Sequence, residues 1–135
     1  MNTGEVINAR THAEFLNELL HRGYAQYMQC TLDLHNGYVL WFIKFNTGES
    51  KQGWTNSIVS AGNTIKEDYT GDPFSKLESH RTFNSNVKRL VFNVIENSTL
   101  GRQYKFCGVF ECDKSSDNDH RVWNRIADSY NFKFH

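Results

Sequence analysis

The sequence predicts an α+β domain: a twisted, mostly antiparallel sheet or partial barrel of about five strands, with an N-terminal helix and a short C-terminal helix. Three observations carry this. In the run Arg89–Asp113, Leu90, Phe92 and Val94 alternate with Val91, Asn93 and Ile95; past a turn at Gly101, Tyr104, Phe106, Gly108 and Phe110 are expected on one face. Alternation of β-branched and aromatic residues marks pleated, half-buried strands. Ten phenylalanines, six tyrosines and three tryptophans stand beside a single proline, Pro73, which suits a sheet-rich core. Thr11-His-Ala-Glu14 is a capping box, the Thr11 hydroxyl accepting from the backbone three residues on while Glu14 reaches back.

That box opens a helix over Thr11–Arg22, with Phe15, Leu16, Leu19 and Leu20 as its apolar stripe and Gly23 as its stop. Tyr24–Leu34 reads as a strand. Leu34-His-Asn-Gly-Tyr38 is a tight hairpin in which Asn36 and Gly37 take positive φ. The return strand, Tyr38–Phe45, is apolar on both faces and therefore central. Over 51–86 the pattern weakens: Ser57–Ala61 fits a short strand or a helical turn, and Phe74–Thr82 a short helix. A polar loop, Asp113–Asp119, precedes Val122, Trp123, Ile126, Ala127 and Tyr130, whose spacing predicts the C-terminal helix. With no repeat or linker, residues 1–135 read as one domain.

Fifteen basic and fifteen acidic residues cancel, so no global field draws the chain to nucleic acid or a membrane. No stretch has the length of a membrane span or the pattern of a signal peptide. Three cysteines without a secretory signal imply free thiols and a cytoplasmic setting.

Complete catalytic or metal motifs are missing from the sequence. Cys107 and Cys112 lie five apart on a strand, which points them to opposite faces and away from a shared zinc with His120. The Asp113–Asp119 loop alternates oxygen donors as calcium loops do, but has Asn118 in place of the glycine and Asn124 in place of the glutamate. No metal and no cofactor are expected. Asp33, Glu49 and Lys51 match the letter of a metal-dependent nuclease site, though Glu49 and Lys51 fall in a turn. No cysteine lies at a helix N-terminus beside a histidine, where a nucleophile would be activated.

Charge segregation remains. From Lys76 to Lys105 six basic residues face two acidic ones, a formal +4, with rings interleaved. Cations that hold phosphates and rings that stack on bases are the ingredients of a nucleic-acid face. The expected function is a non-catalytic intracellular recognition module for nucleic acid, of bacterial or phage origin. Lys88, Arg89, Arg102 and Lys105 would contact phosphates, and Trp54 or Tyr104 would stack. Trp54, followed by Thr55-Asn56, also suits the wall of a pocket for a polar ligand or a base. Two alternatives stand beside this: a protein-interaction module or inhibitor, phage or defence related, and a small metal-dependent nuclease on Asp33, Glu49 and Lys51.

Overall fold

A computed structural model of the chain describes residues 1–46, 53–71, 84–97, 99 and 101–132. Among these, eight strands form one mixed sheet, with a single α-helix and one turn of 3-10 helix, Ser60–Gly62. The elements are β1 (Val6–Ala9), α1 (His12–Leu20), β2 (Thr31–Asp33), β3 (Tyr38–Ile43), β4 (Trp54–Val59), β5 (Thr64–Tyr69), β6 (Lys88–Asn97), β7 (Gly101–Cys112) and β8 (His120–Ala127). The order across the sheet is β2-β3-β6-β7-β8-β5-β4, with β1 added to β7. All pairs are antiparallel except β3 with β6.

This corrects the expectation of about five strands and two helices. The predicted C-terminal helix is β8. Its apolar residues fit a helical spacing, yet Arg121 and Trp123 face one side of a strand held between β5 and β7. Two neighbours supplying backbone partners outweigh a weak local preference. β4 and β5 form a hairpin within the stretch where the sequence pattern was weakest. Tyr24–Leu34 is a strand only at Thr31–Asp33; before it the chain is a strap, anchored where the Asn17 side chain bonds both N–H and C=O of Tyr24. The helix expected over Phe74–Thr82 lies outside the described residues.

α1 begins as its capping box predicts, Glu14 N–H donating to Thr11 Oγ1 at 3.1 Å. Glu14 reaches back one residue further than expected, to the N–H of Arg10. The helix ends earlier than Gly23, because His21 takes the left-handed conformation (φ 54). In the β2–β3 hairpin the positive φ angles belong to His35 and Gly37, not Asn36. The Asn36 side chain instead accepts from the Tyr38 N–H, and Asp33 accepts from His35 N–H, side-chain bonds that mimic backbone turns.

A bulge in β7 sets the two faces. Val91 pairs with Gly108 and Phe92 with Phe106, leaving Cys107 extra. Gly108 has φ +114, and a Cβ there would lie 2.8 Å from the Ala127 carbonyl oxygen. The bulge reverses the alternation, so Tyr104, Phe106 and Val109 join one core while Cys107, Phe110 and Cys112 join the other. Phe110 therefore departs from the face expected for it. Cys107 and Cys112 share a face rather than opposing one another.

The first core lies between the sheet and α1: Phe15, Leu16, Leu19 and Leu20 pack on Leu40, Phe42, Leu90, Phe92, Tyr104 and Phe106. The second lies on the inner face, where Trp41 of β3, Val91 of β6, Phe110 of β7, Trp123 of β8 and Ile65 of β5 converge. Strands far apart in the sheet order meet there because the sheet rolls up. Just past β3, Asn46 N–H donates to the Asn56 carbonyl of β4 at 2.9 Å, and Asn46 Oδ1 accepts from Ile58 N–H. Each large apolar side chain fully buried this way contributes about 1.5–3 kcal/mol. Among the described residues no helix is long and apolar enough to cross a membrane.

Candidate functional site

The inner face changes character along its length. Its middle is apolar, but toward the end where β3, β4, β6 and β8 begin it turns polar and aromatic. β4 offers Trp54, Asn56 and Ile58 on one face, paired across the hairpin with Tyr69, Glu67 and Ile65 of β5. β8 continues the rows, Arg121 opposite Glu67 and Trp123 opposite Ile65. One row is therefore hydrophobic floor, and the next carries Asn56, Glu67 and Arg121. Trp54 and Tyr69 stand edge to face at the mouth, ring centres 5.3 Å apart.

Glu67 is the centre of this end. It is 8 % exposed and collects three donors on a single oxygen: Arg89 Nη1 at 3.1 Å, Arg121 Nη1 at 3.4 Å and Trp123 Nε1 at 3.3 Å all reach Oε1. Among the described residues no hydrogen bond reaches Oε2. Its cross-strand neighbour Asn56 has a buried Oδ1 that no donor reaches. Two acceptors thus sit side by side, at the short spacing of directly opposed strand residues. The guanidiniums are held by rings: Arg89 lies between Trp41 (4.3 Å) and Trp123 (4.0 Å), and Arg121 over Trp54 (4.5 Å). Burial pulls the Arg121 pKa down, and the Glu67 charge opposes that shift.

The sheet parts the basic residues singled out in the sequence. Lys88 begins β6 at the polar end, its ammonium 5.9 Å from the Tyr38 ring. Arg89, one residue on, points inward and is buried. Arg102 and Lys105 lie toward the opposite end, on the half of β7 that pairs with β1. There Arg102 Nε and Lys44 Nζ both reach Glu96 Oε1, at 3.2 and 2.9 Å. The hydrogen bond from Lys44 is the main cause holding the Glu96 carboxyl below its ordinary range. Tyr104 is fully buried, stacked on Phe15 with centres 4.1 Å apart, and its hydroxyl meets His12 Nδ1 at 2.7 Å. Burial raises the Tyr104 pKa, and burial, then Arg102, lowers that of His12.

Of the nuclease triplet, Asp33 is exposed beside His35; Glu49 and Lys51 lie outside the described residues. Among the described residues no cluster of three His, Cys, Asp or Glu is placed to hold a metal. Trp54 sits at the polar end, beside Tyr69 and Arg121. Asn56, Glu67 and Arg121 were missed. Their signal was present as two alternating runs, Trp54-x-Asn-x-Ile and Ile65-x-Glu-x-Tyr, on either side of the Gly62-Asn63 turn. The polar members of the inward rows hid the strand pattern.

An amide, a carboxylate oxygen and an indole, set on rigid strands above an apolar floor, can hold a flat ligand that carries hydrogen-bond donors. Residues 1–132 match the family described as SRA: SET and RING associated domain. Among solved structures the chain is similar to "The 5-Hydroxymethylcytosine-Specific Restriction Enzyme AbaSI", at 26% identity and a TM-score of 0.65, over 93% of this chain and 39% of that one. It is also similar to the "DNA recognition domain of the cytosine modification-dependent restriction endonuclease LpnPI", at 11% identity and a TM-score of 0.49, over 93% of this chain and 71% of that one. No curated protein matches the sequence.

Proposed function

This chain belongs to the SRA, SET and RING associated, domain family, and we propose that it is a DNA-recognition module that takes a 5-modified cytosine, turned out of the duplex, into the polar end of its rolled sheet. Family membership and the likeness to a 5-hydroxymethylcytosine-specific enzyme support DNA as the partner. The chain spans 39% of that enzyme's length, so cleavage is no part of the proposal.

The observation that carries the reading is the pair of open acceptors, Glu67 Oε2 and Asn56 Oδ1. Cytosine carries a 4-amino group with two hydrogens to donate; thymine and uracil carry a carbonyl there, which the Glu67 carboxylate repels. Both acceptors are buried, so a base that reaches them must leave the stack, at a cost of a few kcal/mol. Trp54 offers a face against which that cost is offset. A neutral chain with Lys88 near the mouth supplies only a modest attraction to phosphates, so the base contacts carry a large share of the discrimination.

The test is fluorescence anisotropy on duplexes identical but for one central base: cytosine, 5-methylcytosine, 5-hydroxymethylcytosine, thymine or 5-hydroxymethyluracil. The expected result is tightest binding to a 5-modified cytosine, with both 4-carbonyl bases weakest. Equal affinity for all five duplexes overturns the reading. Binding to none of them favours a protein partner instead.

A further inference from the structure

We propose that Arg89 is a positioning residue for this site: clamped between Trp41 and Trp123, it holds Glu67 by one oxygen so that the other stays an acceptor, and it thereby sets which base edge the site takes. The inference rests on the reading just given and deepens it. In the sequence Arg89 looks like a phosphate contact; in the fold its side chain is 9 % exposed and turned into the barrel.

Stability alone does not explain a guanidinium in that place. Replacing a buried ion pair by apolar residues of similar volume is often neutral or stabilising. Arg89 also leaves its Nε buried with no partner, which is itself unfavourable. The arrangement does, however, fix a direction. Planar stacking between two indoles removes the rotational freedom of the guanidinium, and its Nη1 makes the shortest of the three bonds to Glu67 Oε1. All three side chains converge on that oxygen, and each of them is a donor only. With Oε1 held by these three contacts, Oε2 is left as the acceptor.

Without Arg89, the carboxylate keeps only the two longer contacts, from Arg121 and Trp123. A carboxylate held only by those two contacts can rotate, so that its second oxygen no longer stands against position 4 of the base. The site would then accept a 4-carbonyl as readily as a 4-amine. Arg89 thus acts through Glu67 on selectivity more than on affinity.

The experiment compares wild type, Arg89→Gln, Arg89→Lys, Glu67→Gln and the Arg89→Gln/Glu67→Gln double variant. Each is titrated with duplexes carrying 5-hydroxymethylcytosine or 5-hydroxymethyluracil, which share the 5-substituent and differ in the 4-amine or 4-carbonyl and in the proton at N3. The expected result for Arg89→Gln is a fall of roughly tenfold in the ratio of the two affinities, the scale of a hydrogen bond to a charged group. Most of that fall should come from tighter relative binding of the uracil duplex. Arg89→Lys keeps the charge but not the planar stack, so its ratio should lie between wild type and Arg89→Gln. The double variant should show the same ratio as Glu67→Gln alone. A purely structural Arg89 would instead weaken both duplexes by one factor; a ratio within about twofold of wild type, or additive effects in the double variant, overturns the proposal. Should Arg89→Gln fail to fold, the Arg89→Lys ratio decides by the same criterion. Wild type that does not separate the two duplexes overturns the base-recognition reading itself, before any variant is consulted.

Discussion

Replacing Trp54 with alanine is the perturbation whose effect follows most directly from the geometry. The indole stands at the mouth on β4, in line with Asn56 and across from Tyr69, and is half-buried. Stacking of a base on an aromatic side chain contributes about 1–3 kcal/mol by alanine substitution. At about 1.4 kcal/mol per tenfold, this predicts a loss of roughly 5- to 150-fold in affinity for a duplex with a modified cytosine. The ring also carries the Arg121 guanidinium at 4.5 Å, a contact of about 0.5–2 kcal/mol that supports the fold. The variant should therefore melt somewhat lower, and binding must be read at a temperature where circular dichroism shows it folded. Trp54→Phe keeps a smaller ring and should fall between the two. The assay is anisotropy at fixed salt. Folded Trp54→Ala that binds the modified duplex within about twofold of wild type would falsify the assignment of Trp54 as the stacking wall.

Gly108→Ala should lower stability by about 1–3 kcal/mol, because a Cβ at φ +114 also meets the Ala127 oxygen at 2.8 Å. Gly37→Ala, at φ +88 but in open space, should cost only about 1 kcal/mol; thermal melts that rank the two the other way contradict the bulge. Burial holds the His12 pKa below its ordinary value. The unfolded chain therefore binds a proton first, and stability should decline as pH falls below about 6.5. Part of that slope should vanish in His12→Gln, and an identical slope in melts from pH 8 to 5 would remove His12 as its source. Lys88→Gln should flatten the dependence of DNA affinity on salt by about one unit. Lys105→Gln, toward the opposite end of the sheet, should leave that slope unchanged; the reverse pattern would move the DNA path to the β1–β7 side.

Local signals in the sequence were strong where side chains act on their own backbone. The Thr11 cap, the apolar stripe of α1 and the β6–β7 pair all follow from spacing alone. What depends on distant partners was not legible. β8 reads as a helix because Val122, Trp123 and Ile126 fit the helical period and not strand alternation, and only pairing with β5 and β7 overrides that signal. The phase of β7 turns on one glycine bulge, which places Phe110 on the inner face and Cys107 and Cys112 on the same side. At the polar end, Trp54 was singled out because its polar neighbours, Thr55 and Asn56, suggest a pocket wall. Glu67 and Asn56 were not, since a strand whose inward row mixes Ile with Asn and Glu lacks the clean alternation that marks a buried face. Arg89 was visible as a basic residue, but its direction was not. Rolling of the sheet places it between two tryptophans from strands not adjacent to one another.

On the proposed reading, a modified cytosine leaves the duplex to occupy the Trp54–Asn56–Glu67 end. Fluorescence of 2-aminopurine placed beside the modified base reports this directly, since the probe brightens when its neighbour unstacks. Wild type should raise the signal on a 5-hydroxymethylcytosine duplex and not on the same duplex with thymine. Trp54→Ala and Glu67→Gln, tested at saturating protein, should reduce the rise. Saturated binding with no change in the probe would contradict the account.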